Sequence, residues 1–169
     1  MTQGPVARGT ALVWAWGFAA LALFAGLAVF LAPLEPGVVA LQLTFTPRAF
    51  AAIVHAWPPE DLARYRAHLP VDVALLLAYG TFGRLLATRT RVFARAGTRV
   101  HAALAWAMPL AAAFDACEDA LHAWLTEAPR FDVPQAYALA GGCAAAKWTL
   151  LVAFALAALL ALARRLSRD

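Results

Sequence analysis

Three carboxylates and an imidazole lie within one short stretch of this chain. The stretch falls in a segment with the composition of a membrane-spanning helix, and it contains Asp115, Glu118, Asp119 and His122. An ionisable side chain at membrane depth is costly and normally faces a protein interior or a water-filled cavity, so it marks a candidate functional site. Asp115, Glu118 and His122 stand at positions i, i+3 and i+7 and therefore share one helix face. Asp119 borders the same face.

The composition is that of a membrane protein. Of the 169 residues, 63% are hydrophobic and 14% are charged, whereas soluble domains average roughly 45–50% apolar and about 25% charged residues. We therefore predict a single integral membrane domain covering residues 1–169, with membrane lipids as its partners. The net charge of +4 comes from arginines placed between apolar segments, and this placement does not predict nucleic-acid binding.

The hydrophobic pattern predicts an all-α chain with four membrane spans. A helix crosses the hydrocarbon core with about 20 apolar residues, and four segments of that kind are present. They cover residues 11–32, 71–88, 100–126 and 135–163. Pro70 marks the expected entry to the second span. The predicted architecture is a transmembrane four-helix bundle.

A short amphipathic helix is predicted between the first two spans. Thr46 followed by Pro47 is a typical helix start, with a hydroxyl N-cap and proline at the first helical position. One apolar stripe follows at helical spacing, formed by Phe50, Ile53, Val54 and Trp57. This helix either lies in the membrane interface or packs as a lid on the mouth of the bundle.

The arginines predict the orientation. Eight of them fall on one side of the predicted membrane: Arg8, Arg89, Arg91, Arg95, Arg99, Arg164, Arg165 and Arg168. The other side has Arg48, Arg64, Arg66 and Arg130, which are offset by five acids. The positive-inside rule then places both termini in the cytoplasm. A bacterial inner membrane is the predicted location.

Given that orientation, polar residues of three spans fall at similar depths in the outer half of the bundle. At 1.5 Å per residue, Asp72 lies about 10 Å outward of its span midpoint at Tyr79, and Lys147 about 3 Å outward of its own. Asp115 lies about 3 Å outward as well. The predicted ligand-binding set is Asp72, Tyr79, Asp115, Glu118, Asp119, His122 and Lys147.

The predicted pocket carries four acids and one lysine, so its charges do not balance. A buried carboxylate without a partner takes up a proton, recruits water or holds a cation. We favour an outward-facing pocket that binds a small amphiphile, a lipid or an isoprenoid, or that relays protons. The alternatives are an intramembrane enzyme that uses paired carboxylates as acid and base, with Asp115, Glu118 and Lys147 as candidates, and a structural or assembly subunit.

A metal site is weighed but not favoured. The spacing of Glu118, Asp119 and His122 resembles that of metal-binding helices. A di-iron bundle, however, needs a second such pair from another helix, and His68 and the other histidines are expected in loops or at a membrane edge. No cofactor is identified by the sequence. Close self-association, as a homo-oligomer or in a larger membrane complex, is permitted by Gly80, Gly83, Gly141 and Gly142.

The order of polar motifs resembles that of a family of uncharacterised bacterial four-span membrane proteins. The motifs, in chain order, are Tyr65-Arg66, Asp72…Tyr79, Asp115-x-x-Glu118-Asp119 and Lys147-Trp148. The resemblance begins at about Leu41 and covers most of the chain from there. That pattern has Asn at the position of Asp119, so the negative charge there departs from it. The resemblance implies four spans and this polar set, and no activity comes with it.

Overall fold

Residues 5–167 are described by a computed structural model and form six helices. Their bounds are α1 Pro5–Leu31, α2 Val38–Gln42, α3 Pro47–Ala56, α4 Pro59–Arg89, α5 Thr98–Leu125 and α6 Pro134–Leu166. No strand occurs within these residues, so the all-α prediction is confirmed. Four helices, α1, α4, α5 and α6, are long and apolar enough to cross a membrane. Arg168, which entered the orientation argument, lies outside the described residues.

The long helices pack in a row. α4 packs against both α1 and α5, and α5 packs against α6. Within the described residues, α1 and α6 make no extensive contact with each other. A gap therefore remains between α1 and α6, the first and last helices of the row.

Helix α3 forms as the sequence predicts. The Thr46 side chain accepts a hydrogen bond from the backbone N–H of Ala49 at 3.3 Å and caps the first turn. Phe50, Val54 and Trp57 are buried against the ends of α4, α5 and α6. Because its apolar stripe is covered by protein, α3 packs as a lid on one end of the helix row.

Helix α4 extends further than the sequence predicts. It begins at Pro59 instead of Val71, and Pro70 lies inside it. An interior proline removes one backbone hydrogen bond, but helices in membrane proteins tolerate such positions where neighbouring groups compensate. Pro70, predicted as the entry to the second span, is therefore an interior residue of a longer helix. The extension adds three helical turns, which carry Tyr65 and His68 into the protein interior.

Helices α4 and α5 approach closely at Gly83. A Cβ atom at this position would overlap the Met108 side chain, including its Cβ. The first prediction is that Gly83→Ala lowers the free energy of unfolding by about 1–3 kcal/mol through overpacking. Equilibrium unfolding in mixed detergent micelles measures the change. Gly26→Ala is the matched control, because a Cβ atom at Gly26 meets no atom within 4 Å. Equal stability of the two variants would contradict the close approach.

Candidate intramembrane site

Lys147 is the centre of the buried polar cluster. Its Nζ atom donates a hydrogen bond to Asp115 Oδ1 at 2.6 Å. The same atom lies 2.6 Å from Glu118 Oε2, in an ion pair without hydrogen-bond geometry. The side chains of Lys147 and Glu118 are 3% and 0% exposed. One ammonium group is therefore shared by two buried carboxylates.

Asp115 has a second partner on α4. Its Oδ2 atom accepts a hydrogen bond from the Tyr79 hydroxyl at 3.0 Å. Tyr79 and Lys147 thus hold the two oxygens of a single carboxylate and fix its orientation. The sequence placed these three residues at similar depth but did not predict that one acid would bind both partners.

His122 forms part of a second branch of the cluster. Its Nδ1 atom lies 2.6 Å from the Tyr65 hydroxyl and 3.9 Å from Glu118 Oε1. The ring of Phe50, on α3, packs over the imidazole with centroids 5.3 Å apart. The lid therefore covers the polar cluster directly and excludes water from His122, which is 1% exposed.

Two interior residues lie outside the predicted ligand-binding set, although one of them, Tyr65, belongs to the resemblance motifs. Tyr65 is 1% exposed and reaches His122, and His68 is 4% exposed. A ring nitrogen of His68 contacts the backbone carbonyl of Tyr65. His68 does not lie in a loop, because α4 continues through Pro70. Glu60 and Asp61 favour a helix N-terminus after Pro59, and continuing that helix through Pro70 brings both side chains to the cluster.

The carboxylates of Asp72, Asp115 and Asp119 converge. Each offers one oxygen, and these oxygens lie within 4.8 Å of one another. The depth count placed Asp72 and Asp119 at a similar height on neighbouring helices, but it placed Asp115 about 7 Å deeper than Asp72, so it did not predict that all three would meet. Of the predicted set, His122 points to Tyr65 and Glu118 instead of this group.

Several buried polar atoms of the cluster lack a partner. Among residues 5–167, no hydrogen bond reaches Glu118 Oε1, Asp119 Oδ2 or His122 Nε2. Buried polar groups are nearly always satisfied, and an unsatisfied one costs about 1–3 kcal/mol. Atoms of this kind indicate a place where a proton, a water molecule or a ligand binds.

A large groove lies between α1 and α6 and reaches the cluster. Its volume is about 1350 Å³. Apolar side chains form most of its walls, and several of these remain exposed, including Leu21, Phe24 and Leu159 at 63%, 53% and 62%. The side chains of the buried polar cluster that line it are His68, Asp72, Tyr79, Asp115 and Lys147. The groove continues to the α4–α5 connection at residues 90–92.

Four helices of this chain are long and apolar enough to span a membrane, which indicates a multi-pass membrane protein. A buried acidic cluster lies beside an apolar groove. Comparisons with known protein families, with curated proteins and with solved structures find no match. The resemblance to an uncharacterised bacterial family therefore stays a prediction.

Proposed function

We propose that the groove binds a small amphiphile, a lipid or an isoprenoid, whose polar head reaches Asp72, Asp115 and Lys147. The observation that carries the proposal is a long, mostly apolar groove that reaches the buried charges of Asp115 and Lys147 near one end, with Arg91 at the other. Ligand sites are typically concave and apolar with a few convergent polar groups. Water-filled channels, in contrast, are lined by polar groups along their length.

The size of the groove favours a lipid over a small metabolite. Pockets for small molecules measure roughly 300–1,000 Å³, and this groove is larger, at about 1350 Å³. From Asp72 to Thr90 it follows 18 residues of α4 and its end, or about 27 Å of helix. That length is close to the thickness of a bilayer core, about 30 Å. A chain-like tail therefore fits along the groove with its head at the acidic cluster.

The orientation belongs to the same proposal. The arginines of the α4–α5 connection and its flanks, Arg89, Arg91, Arg95 and Arg99, lie without a neighbouring acid. By the positive-inside rule this end is cytoplasmic, and so are both termini of the four-helix bundle. The charged end of the groove then faces the outer leaflet of a bacterial inner membrane. An amphiphile enters sideways, between α1 and α6.

The second prediction tests the groove by filling it. Ala155 lines the groove on α6, whereas Ala153, two residues away, is exposed and is not part of the groove lining. Ala155→Trp is expected to lower the fraction of chains that retain a lipid about tenfold, equivalent to about 1.4 kcal/mol. Ala153→Trp is expected to retain lipid as the wild type does. Native mass spectrometry of gently extracted protein measures the retained fraction.

Two outcomes would contradict the proposal. If Ala155→Trp and Ala153→Trp retain lipid equally, the lipid lies elsewhere on the apolar surface. If the wild type is a dimer that Ala155→Trp converts to monomer, the groove is filled by a second copy of the chain. Each outcome gives a distinct mass, so the experiment separates them.

A proton relay is supported by a separate observation. The buried polar side chains form a nearly continuous series, in the order Tyr65, His122, Glu118, Lys147, Asp115 and Tyr79. Chains of acids and histidines are the usual parts of intramembrane relays. Filling the groove with Ala155→Trp leaves this series in place. A relay therefore survives that substitution, whereas amphiphile binding does not.

A further inference from the structure

The three carboxylates of Asp72, Asp115 and Asp119 have the spacing of a coordination sphere. Their oxygens lie within 4.8 Å of one another. Two ligand oxygens on opposite sides of Ca²⁺ are about 4.8 Å apart, and those around Mg²⁺ are about 4.2 Å apart, at metal–oxygen distances of about 2.4 and 2.1 Å. One small ion therefore fits between all three side chains. They come from two packed helices, with Asp72 on α4 and the other two on α5.

Asp119 supplies an independent observation. Its side chain is 8% exposed, and its Oδ2 atom is buried without a hydrogen-bond partner among the described residues. The only lysine of the chain is already shared between Asp115 and Glu118. A buried carboxylate that lacks a counter-charge is strongly destabilising. Within residues 5–167, this atom therefore lacks a positively charged partner.

Asp115 is held as a metal ligand needs to be held. Lys147 binds its Oδ1 atom and the Tyr79 hydroxyl donates to Oδ2. A carboxylate oxygen has two lone-pair directions, so each atom retains one for a further partner. Ligating carboxylates in metal sites are commonly oriented by such outer hydrogen bonds. The position of Asp115 is thus fixed from two sides before any ion binds.

We propose that Asp72, Asp115 and Asp119 together bind one hard divalent cation of the Mg²⁺, Mn²⁺ or Ca²⁺ class. A ligand set made only of carboxylate oxygens selects such ions over zinc or copper, which prefer nitrogen and sulfur. This centre differs from the one weighed from sequence spacing, which used Glu118, Asp119 and His122. The Nδ1 atom of His122 is engaged by Tyr65.

The third prediction concerns this ion and uses Mn²⁺ as the probe. Purified full-length protein is stripped with a chelator and titrated with Mn²⁺, and the free ion is followed by electron paramagnetic resonance. The wild type is expected to bind one Mn²⁺ per chain saturably. Asp119→Asn and Asp72→Asn are each expected to weaken binding at least tenfold, since even outer-shell changes cost about 10–100-fold. The exposed acid Asp132 provides the control, and Asp132→Asn is expected to bind as the wild type does.

The wild-type titration tests the proposed cation site even if a variant does not fold. Circular dichroism of the helices reports whether each variant is folded. Absence of saturable Mn²⁺ binding by the folded wild type would overturn the proposal, because protons shared among the acids would then supply the missing charge. Full Mn²⁺ affinity in folded Asp119→Asn and Asp72→Asn would overturn it as well. Retained lipid, measured on the same chelator-treated sample, reports on the groove separately, so failure of either proposal is recognised by itself.

Discussion

Lys147→Met is expected to lower the free energy of unfolding by about 3–5 kcal/mol, the usual cost of removing one partner of a buried ion pair. The Nζ atom of Lys147 lies 2.6 Å from both Asp115 and Glu118, and the lysine is 3% exposed. Without the ammonium group, two buried carboxylates lose their counter-charge at once. The free energy is measured by equilibrium unfolding in mixed detergent micelles.

The control for this prediction is an ion pair of similar length at the surface. Arg64 and Asp61 lie 2.7 Å apart, with side chains 32% and 16% exposed. Arg64→Met is expected to cost no more than about 1 kcal/mol. Removing the two orphaned charges, in the triple variant with Asp115→Asn and Glu118→Gln, is expected to recover much of the loss. A cost for Lys147→Met as small as that for Arg64→Met would show that the cluster is well hydrated or already protonated.

Phe50→Ala is expected to detach the lid and cost about 3–5 kcal/mol, the usual range for a buried Phe replaced by Ala. Phe50 is 1% exposed, and its ring packs on His122 and Tyr137 at centroid distances of 5.3 and 5.2 Å. The substitution leaves a cavity directly over the buried imidazole. Water then reaches the polar cluster, so faster hydrogen exchange at the amides around residues 115–122 accompanies the lost stability.

Phe131→Ala is the matched control, because Phe131 is 64% exposed. It is expected to change the free energy of unfolding by less than about 0.5 kcal/mol and to leave exchange in α5 as in the wild type. If Phe50→Ala behaves in the same way, α3 is held only at the membrane interface. The alternative predicted from the sequence, a helix that lies flat on the bilayer, would then be the better description.

The long helices could be predicted because membrane crossing depends on a property that is local in sequence. An uninterrupted apolar segment of sufficient length predicts a span, and each of the four segments named from hydropathy matches a long helix, exceeding it by at most one residue. Helix α2, at Val38–Gln42, was not predicted, since five residues carry too little periodicity. It is held by tertiary contacts instead, including a hydrogen bond from Trp148 Nε1 to Gln42 Oε1 at 3.2 Å.

The candidate site could be predicted in part, because depth and facing follow from residue counts along a helix. These counts brought Asp115 and Lys147 to the same height, and the structure joins them. The residues left out of the predicted site depend on the tendency of proline to mark a helix boundary, which tertiary packing overrides in α4. Taking Pro70 as the entry to the second span left Tyr65 and His68 outside the predicted site, although α4 passes through that proline.

Residue counts along the helices could not predict which acids would pair. The contact between Glu118 and Lys147 depends on side-chain rotamers and on the exact rotation of α5 against α6. The same holds for the convergence of Asp72 with Asp119, which residue counts place only at a similar height. Distances of a few ångströms decide between an ion pair, a shared proton and a metal ligand, and the sequence pattern does not resolve them.

The most direct measurement of the central claim is the mass of the intact wild-type protein, extracted gently from its own membrane and compared with Asp115→Asn. A pocket with its charged end at Asp115 predicts a discrete adduct of lipid mass on the wild type, and loss of that adduct from the folded variant. A metal ion is recognised by its much smaller mass increment. A wild-type chain that carries no lipid adduct, with Asp115→Asn equally bare and equally stable, would contradict the proposal that this groove binds an amphiphile.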